Sequence, residues 1–313
     1  PYDLNAHTLR FLEIVRPTVA VMVRYDIWPN MVWNLNALSV PLILANATLK
    51  ETSPRLWPGV RQFHQTLYDC FANILTVSES DAAAFRKFNT KAHIEAIGDT
   101  RFDQVRIRST DARHRRLLPE SITKERKIFI VGQSWPEDEE VILPALFALQ
   151  QEEPGLLTII VPHEPTEEHL DELESRLEGN STFIRFSEVG AYTNQQTIIV
   201  DSVGVLVPLY QYAHIVYIGG SFRQGIHNVL EPAIFGVPVI FGPRHTNSQE
   251  AIALSENGGG FVITTSAEFA SVVRPLLADE ERRMRAGTIA RTFVETNCGA
   301  TERVMRYFAA YLP

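Results

Sequence analysis

The feature that most constrains this chain is an alternation. Short runs rich in Val and Ile, including "PLILAN" from Pro41, "ANILTV" from Ala72, "HIEAIG" from His93, "KIFIVG" from Lys127, "LLTIIVP" from Leu156, "TIIVD" from Thr197, "HIVYIGG" from His214 and "VPVIFGP" from Val237, are separated by longer segments of helical period. Each run is too short for a helix and lacks strict polar–apolar alternation, as expected of strands buried on both faces of a parallel sheet. The predicted class is α/β, doubly wound.

Between Gln104 and Arg126 the strands stop, and a charged stretch containing Pro119 reads as an interdomain linker that could hold a helix. Its basic cluster, Arg113 to Arg116, reads as a solvated helix face. Strand-like runs near residues 128, 158, 183, 198, 216, 239 and 261 follow, enough for a complete Rossmann-like domain. The predicted division is a first domain over residues 1–108 and a second over 109–313 that keeps the C-terminal helices. In "DEERRMRAGTIARTFVET" (279–296) acids come early and arginines later, in keeping with a helix dipole. The first domain carries only four strand-like runs and reads as a half. The chain opens at Pro1 and almost at once reaches "TVAVMV" (18–23), so a further upstream part is expected.

A chain of 313 residues, 45% of them hydrophobic, can bury cores for two domains. A net charge of -8 gives no general attraction to polyanions, which argues against nucleic acid as a partner. Cys70 and Cys298 lie far apart and outside any CxxC spacing, against a disulfide scaffold or a thiolate metal site and in favour of a reducing compartment. No apolar run approaches the ~18 residues that a spanning helix needs, and no signal-peptide pattern opens the chain, so a soluble chain is expected.

In open α/β sheets ligands sit beyond the carboxyl ends of strands, so the loops there carry the candidates. In "YIGGSFRQGIHNVLEPAIFGVPVIFGP" (217–243), Gly219, Gly220 and Gly225 let backbone approach a ligand, and a following helix start favours an anion. The pattern is not GxGxxG. Asn228 and Glu231 have capping-box spacing, so they either satisfy backbone donors or present a carboxylate to a ribose diol. His227 could donate to a phosphate or sugar oxygen, or be a packed polar residue. Ser134 and Trp135 precede a helix opened by Pro136, whose acidic first turn fits capping and dipole compensation. Pro162, His163 and Glu164 follow one buried strand, and Ser202, Val203 and Gly204 another. Four such loops within one domain point to a nucleotide site. In the first half, Arg101 could neutralise a leaving phosphate or pair with Asp99 or Asp103, and Asp26 could be catalytic or cap the helix begun at Pro29.

Together these residues resemble the Kdo transferases, GT-B glycosyltransferases that move 3-deoxy-D-manno-octulosonic acid (Kdo) from CMP-Kdo to the lipid A precursor. The likeness runs through "PYDL" at the start, "WPN" (28–30), "LANATL" (44–49), "GDTRFD" (98–103), "SWPEDEE", "VPHEP" and above all the glycine block with its HNxLEPA string. The resemblance implies a CMP site at Pro162 and His163, at Val203, Gly204 and Val205, and at Asn228, Val229, Leu230 and Glu231, with Ser134, Gly220 and His227 beside it. It implies that Arg101, where the family often has Lys, stabilises departing CMP. No metal or other cofactor is implied. The family's general base is a Glu upstream of "PYDL", as is its membrane-seeking segment. Many members have Glu where Arg24 stands, so Asp26 is carried over as a catalytic candidate and Arg24 is left without a role.

The expectation is therefore a GT-B fold, two Rossmann-like domains facing a cleft with the first incomplete. The chain would be an inverting transferase using CMP-Kdo and a lipid A precursor, bound peripherally at the cytoplasmic face of the inner membrane. A UDP-sugar-dependent GT-B transferase or epimerase is one alternative, separable by base preference because uracil and cytosine present opposite demands at position 4. A non-catalytic nucleotide-binding module is another. An NAD-dependent oxidoreductase lacks its fingerprint here.

Overall fold

In the computed structural model, which describes residues 2–312, the predicted runs are strands, and every strand pairing among the described residues is parallel. In chain order the elements are α1 (Asn5–Val15), β1 (Ala20–Val23), α2 (Pro29–Ala37), β2 (Leu42–Ala47), α3 (Val60–Tyr68), β3 (Asn73–Thr76), α4 (Glu79–Arg86), β4 (His93–Ala96) and α5 (Thr100–Arg113). Then come α6 (Glu120–Thr123), β5 (Lys127–Ser134), α7 (Pro136–Glu152), β6 (Leu156–Pro162), α8 (Glu167–Leu177), β7 (Phe183–Arg185), β8 (Thr197–Ile199), α9 (Leu206–Leu209) and β9 (Ile215–Ile218). The chain ends with α10 (Leu230–Ala233), β10 (Val239–Phe241), α11 (Gln249–Asn257), β11 (Gly260–Val262), α12 (Ser266–Ala278), α13 (Glu280–Thr296) and α14 (Ala300–Ala309). Helix starts follow ordinary capping chemistry: Ser78, Thr166, Ser248 and Thr265 each accept the N–H three residues on.

Two compact units emerge, Pro1–Gln104 with Asn297–Pro313, and Val105–Thr296. The first holds a four-stranded sheet in the order β1-β2-β3-β4. Successive side chains of a strand face opposite ways, so Leu42 and Leu44 enter a core with Val32, Leu35, Tyr68, Phe85 and Phe88, whereas Ile43 turns the other way beside Leu75 and Ile97. That second face is covered by Val304, Tyr307, Phe308 and Tyr311, all from α14 and its end.

The expected division at residue 108, with all C-terminal helices in the second domain, is therefore corrected. Helix α14 closes the first unit because three otherwise exposed apolar side chains need its aromatic face. Its start is fixed by Asp103, which accepts the Gly299 and Thr301 N–H groups at 2.6 and 2.7 Å. The stretch read as an interdomain linker does hold a helix and the boundary between the units. Residues 100–113 are one helix whose Phe102, Val105, Ser109 and Ala112 are buried at helical spacing, and the boundary between units falls inside it.

The second unit carries a seven-stranded sheet in the order β11-β10-β9-β5-β6-β8-β7. Strand β5 is central. From it the chain winds outward through β6 to β7 and β8, then returns to β5's other edge with β9 and continues to β11. Its core joins Phe129, Val131 and Tyr217 of the sheet to Ile142, Leu146 and Leu149 of α7 and Phe269 and Val273 of α12.

Candidate functional site

The winding reverses between β5 and β9, and the crevice outside the strand ends at such a reversal is where open α/β sheets bind ligands. The loops after β5, β6, β8 and β9, all expected to carry site residues, leave the sheet at these carboxyl ends.

The loop after β9 is shaped by backbone approach. A Cβ on Gly219 would lie 2.2 Å from the Gln133 carbonyl oxygen, and Gly220 has φ +92° with Gly225 O 2.5 Å from where its Cβ would be. Asp138, fully buried, holds this turn in place. Its Oδ2 accepts the Gly220 N–H at 2.8 Å and the Trp135 N–H at 3.0 Å, and its Oδ1 accepts the Tyr217 hydroxyl at 2.7 Å. Burial pushes the Asp138 carboxyl up, and the hydrogen bonds from Gly220, Tyr217 and Trp135 pull against that.

Above the turn three rings stack. His163 lies 4.5 Å from Trp135 and 4.4 Å from His227, centroid to centroid, and Trp135 Nε1–H donates to His227 Nε2 at 3.0 Å. The guanidinium of Arg223 covers the Trp135 ring at 4.1 Å. Burial, with His163 nearby, lowers the His227 pKa to about 4. His163 Nδ1 is buried and has no hydrogen-bond partner among the described residues.

The capping box that Asn228 and Glu231 could have formed is not made. Helix α10 covers only Leu230–Ala233, and Val229 at its N-cap makes no side-chain cap bond. Asn228 Oδ1 accepts the Leu230 N–H at 3.1 Å, and its side chain also bonds to Glu231. Glu231 is left with its carboxylate largely buried, pushed up by that burial and held down by Arg108, whose Nη1 is 3.8 Å from Oε1. Beneath lies the Tyr210 hydroxyl, buried and without a partner among the described residues.

Other expected residues divide into lining and support. Val203 is 81% exposed, Gly204 has φ +78° and Val205 turns its side chain inward. Val229 and Leu230 bury their side chains and offer only backbone. Pro162 ends β6 in pairing with Ser134. Ser134 is a correction: its buried hydroxyl donates to Glu139 at 2.7 Å, and Glu139 in turn meets His169 Nε2 at 3.0 Å, so Ser134 braces the site from behind and does not line it. Hydrogen bonding to Glu139 raises the His169 pKa.

In the first unit, Arg101 takes the ion-pair alternative. Its Nε and Nη2 lie 2.8 and 2.7 Å from Asp99 Oδ2, and Arg24 Nη2 reaches the same oxygen at 3.0 Å. Arg24, in the left-handed region at φ 58°, thus gains a role it lacked on the sequence. Asp26 is exposed and does not cap α2. Asp3 does so, accepting the Asn30 and Met31 N–H groups at 3.1 and 3.0 Å.

Asp138, Glu139 and Arg108 were not singled out on the sequence. Asp138 and Glu139 stand four residues before the buried Ile142 and Leu143 on the same helix, and that spacing was the signal for an inward-facing pair. Arg108 lay hidden in the stretch read as a linker. Among the described residues no group of three or more His, Cys, Asp or Glu side chains could hold a metal ion.

Residues 1–104 match the family model described as 3-deoxy-D-manno-octulosonic-acid transferase (kdotransferase). The 3-deoxy-D-manno-octulosonic acid transferase of Haemophilus influenzae is 28% identical over an alignment covering 100% of this chain and 74% of that protein. Among solved structures, the C-terminal CMP-Kdo binding domain of WaaA from Acinetobacter baumannii is similar at 23% identity and TM-score 0.50, covering 61% of this chain and 96% of that one. The UDP-GlcNAc 2-epimerase of Neisseria meningitidis bound to UDP-GlcNAc has TM-score 0.65 at 12% identity over 98% of this chain and 80% of its own, a likeness of fold alone.

Proposed function

We propose that this chain, similar along its whole length to the Kdo transferases, is a glycosyltransferase of that family which moves Kdo from CMP-Kdo to a lipid acceptor. The observation that carries the donor assignment is Glu231: a largely buried carboxylate beside Asn228, in a loop at the sheet's reversal point, with its capping role unfilled. A carboxylate there accepts both hydroxyls of a ribose diol, and the backbone of residues 203–205 and the His163 end of β6 are further CMP contacts.

In this reading a carboxylate takes the proton of the acceptor hydroxyl as its oxygen attacks the anomeric carbon of Kdo, the bond from that carbon to the CMP phosphate oxygen breaks, and configuration inverts. The electron pair leaves with the phosphate. Arg101, held by Asp99, supplies positive charge to it, and Asp26 serves the acceptor side. Holding both substrates in line supplies much of the rate, because positioning replaces a bimolecular encounter. The acceptor is the lipid A precursor, which puts the work at the cytoplasmic face of the inner membrane with the protein bound peripherally. No helix among the described residues is long and apolar enough to cross a membrane.

Calorimetric titration with CMP, UMP and CMP-Kdo, in the chain and in Glu231→Ala, tests the assignment. CMP-selective binding that weakens about 10- to 100-fold in the variant is expected, the value of charge-assisted hydrogen bonds. Equal binding of CMP and UMP, or indifference to the substitution, would overturn it in favour of a UDP-sugar enzyme or of a purely structural Glu231.

A further inference from the structure

We propose that Arg108 is a donor-binding residue whose guanidinium receives the phosphate of the nucleotide whose ribose Glu231 holds, an inference that rests on the donor reading of that loop. Arg108 projects from the exposed side of α5, opposite the buried Val105, Ser109 and Ala112, and reaches to 3.8 Å from Glu231 Oε1. Both residues belong to the same compact unit. At that distance the two are Coulombic neighbours without a hydrogen bond, and among the described residues Arg108 makes no hydrogen bond elsewhere.

Two other arginines of this stretch are committed to the protein. Arg113 lies over the Phe235 ring at 4.9 Å, and Arg115 donates to the Gly204 carbonyl at 3.3 Å, bracing the turn after β8. Arg185, elsewhere in the unit, is shared among Glu167, Asp171 and Glu174. Arg108 faces one carboxylate, from a position 57% exposed, and keeps its fork of donors for something else.

The chemistry of a nucleotide supplies that partner. A ribose seated by its diol on Glu231 brings its own 5′-phosphate within one sugar ring of the carboxylate, and two anions that close, one of them largely buried, repel. A cation between them removes the repulsion and adds hydrogen bonds to the phosphate, which a guanidinium makes in bidentate fashion. Arg108 is already beside the carboxylate, so it serves both anions without a change in the fold.

The test compares CMP with cytidine, which share base and ribose and differ by the phosphate. Titrations of the full chain, Arg108→Ala and Arg108→Lys are read by calorimetry, with thermal unfolding to check that the exposed substitutions leave the fold intact. The expected result is a loss of about tenfold or more in CMP affinity in Arg108→Ala, a change of less than about threefold for cytidine, and an intermediate CMP loss in Arg108→Lys, which keeps charge but not the fork. Equal losses for CMP and cytidine would make Arg108 only a counter-ion of Glu231 and overturn the proposal. So would unchanged CMP affinity. Both leave the donor reading standing, whereas a chain that binds neither CMP nor cytidine removes the donor reading and this proposal with it.

Discussion

Trp135 and His227 are tied by one hydrogen bond, the indole Nε1–H donating to imidazole Nε2 at 3.0 Å. An indole can only donate, so Nε2 is the bare nitrogen and the ring's hydrogen sits on Nδ1. With a pKa lowered to about 4, chiefly by burial, His227 stays neutral in the folded protein across the range where an unfolded histidine takes up a proton. The unfolded state therefore binds more protons between about pH 6.5 and 4, and stability falls as pH drops through that window.

Replacement His227→Phe keeps a ring in the stack and removes the titration. At pH 7 it is expected to cost about 1 kcal/mol, because the indole N–H loses its acceptor, yet to lose less on acidification than the native chain does. Urea midpoints at pH 7 and pH 4.5 measure this. Parallel losses in the two proteins would show that His227 carries none of the acid sensitivity.

Asp138 gives a second prediction, because its two oxygens do different work. Oδ2 accepts two backbone N–H groups and Oδ1 a hydroxyl. Asparagine can keep an oxygen on the two N–H groups and turn its amide towards Tyr217, whose hydroxyl can accept as well as donate. Asp138→Asn is thus expected to cost about 1 kcal/mol, and Asp138→Ala, which orphans buried donors, about 3 kcal/mol or more. The folded carboxyl is raised above its ordinary value, so its contribution is fully present below that value and is lost as pH rises through the folded pKa. The Asn variant should therefore gain on the native chain as pH climbs from the ordinary aspartate range. Denaturant midpoints of all three across pH 3.5 to 7 decide it, and equal costs for Asn and Ala would refute the division of roles.

Asp99 is the buried anchor of Arg24 and Arg101. Asp99→Asn keeps the volume but halves the acceptor capacity, so Arg101 is less firmly aimed. Aim matters most at the moment charge develops on the leaving phosphate, so kcat is expected to fall about tenfold or more, with CMP affinity unchanged because the loops proposed to hold CMP lie in the other unit. Steady-state kinetics with CMP-Kdo beside CMP titration separates the two, and a variant that lost affinity with kcat intact would contradict the assignment.

What the sequence made legible was whatever repeats or punctuates. Every strand from β1 to β11 announced itself as a short apolar run, and in the strands buried along their whole length, such as β2, β3, β6 and β9, burial on both faces leaves no room for polar alternation. The loops at strand ends followed from the class. Hidden were features set by which way a side chain turns. Nothing in "SWPEDEE" says that Ser134 faces Glu139 and not a ligand, since a serine before a helix serves either end. The path of α5 was obscured by its charge: ten of the fourteen residues in "TRFDQVRIRSTDAR" are polar or charged, four of them arginines and two aspartates, and only the burial of Val105, Ser109 and Ala112 reveals the helical face. The place of α14 depended on a pairing across more than two hundred residues of sequence, between Asn73 and Tyr311 and their surroundings, which no local pattern encodes.

That long-range pairing carries the last prediction. Helix α14 covers Ile43, Leu75 and Ile97, each at most 1% exposed. Burying a side chain of this size is worth about 1.5–3 kcal/mol, so stripping the helix from the three removes on the order of 5 kcal/mol, comparable with the whole stability of a domain. Polar contacts add to this: Arg303 Nε donates to Ile97 O at 2.7 Å, and the Tyr307 hydroxyl donates to Glu95, which pushes the Tyr307 pKa up to about 12. A chain ending at Gly299 should therefore lose hydrogen-exchange protection throughout β2 and β3 while β5 and β9 keep theirs. Protection retained in β2 and β3 would mean that the sheet's second face does not need α14, and the division of the chain would return to the one its sequence first suggests.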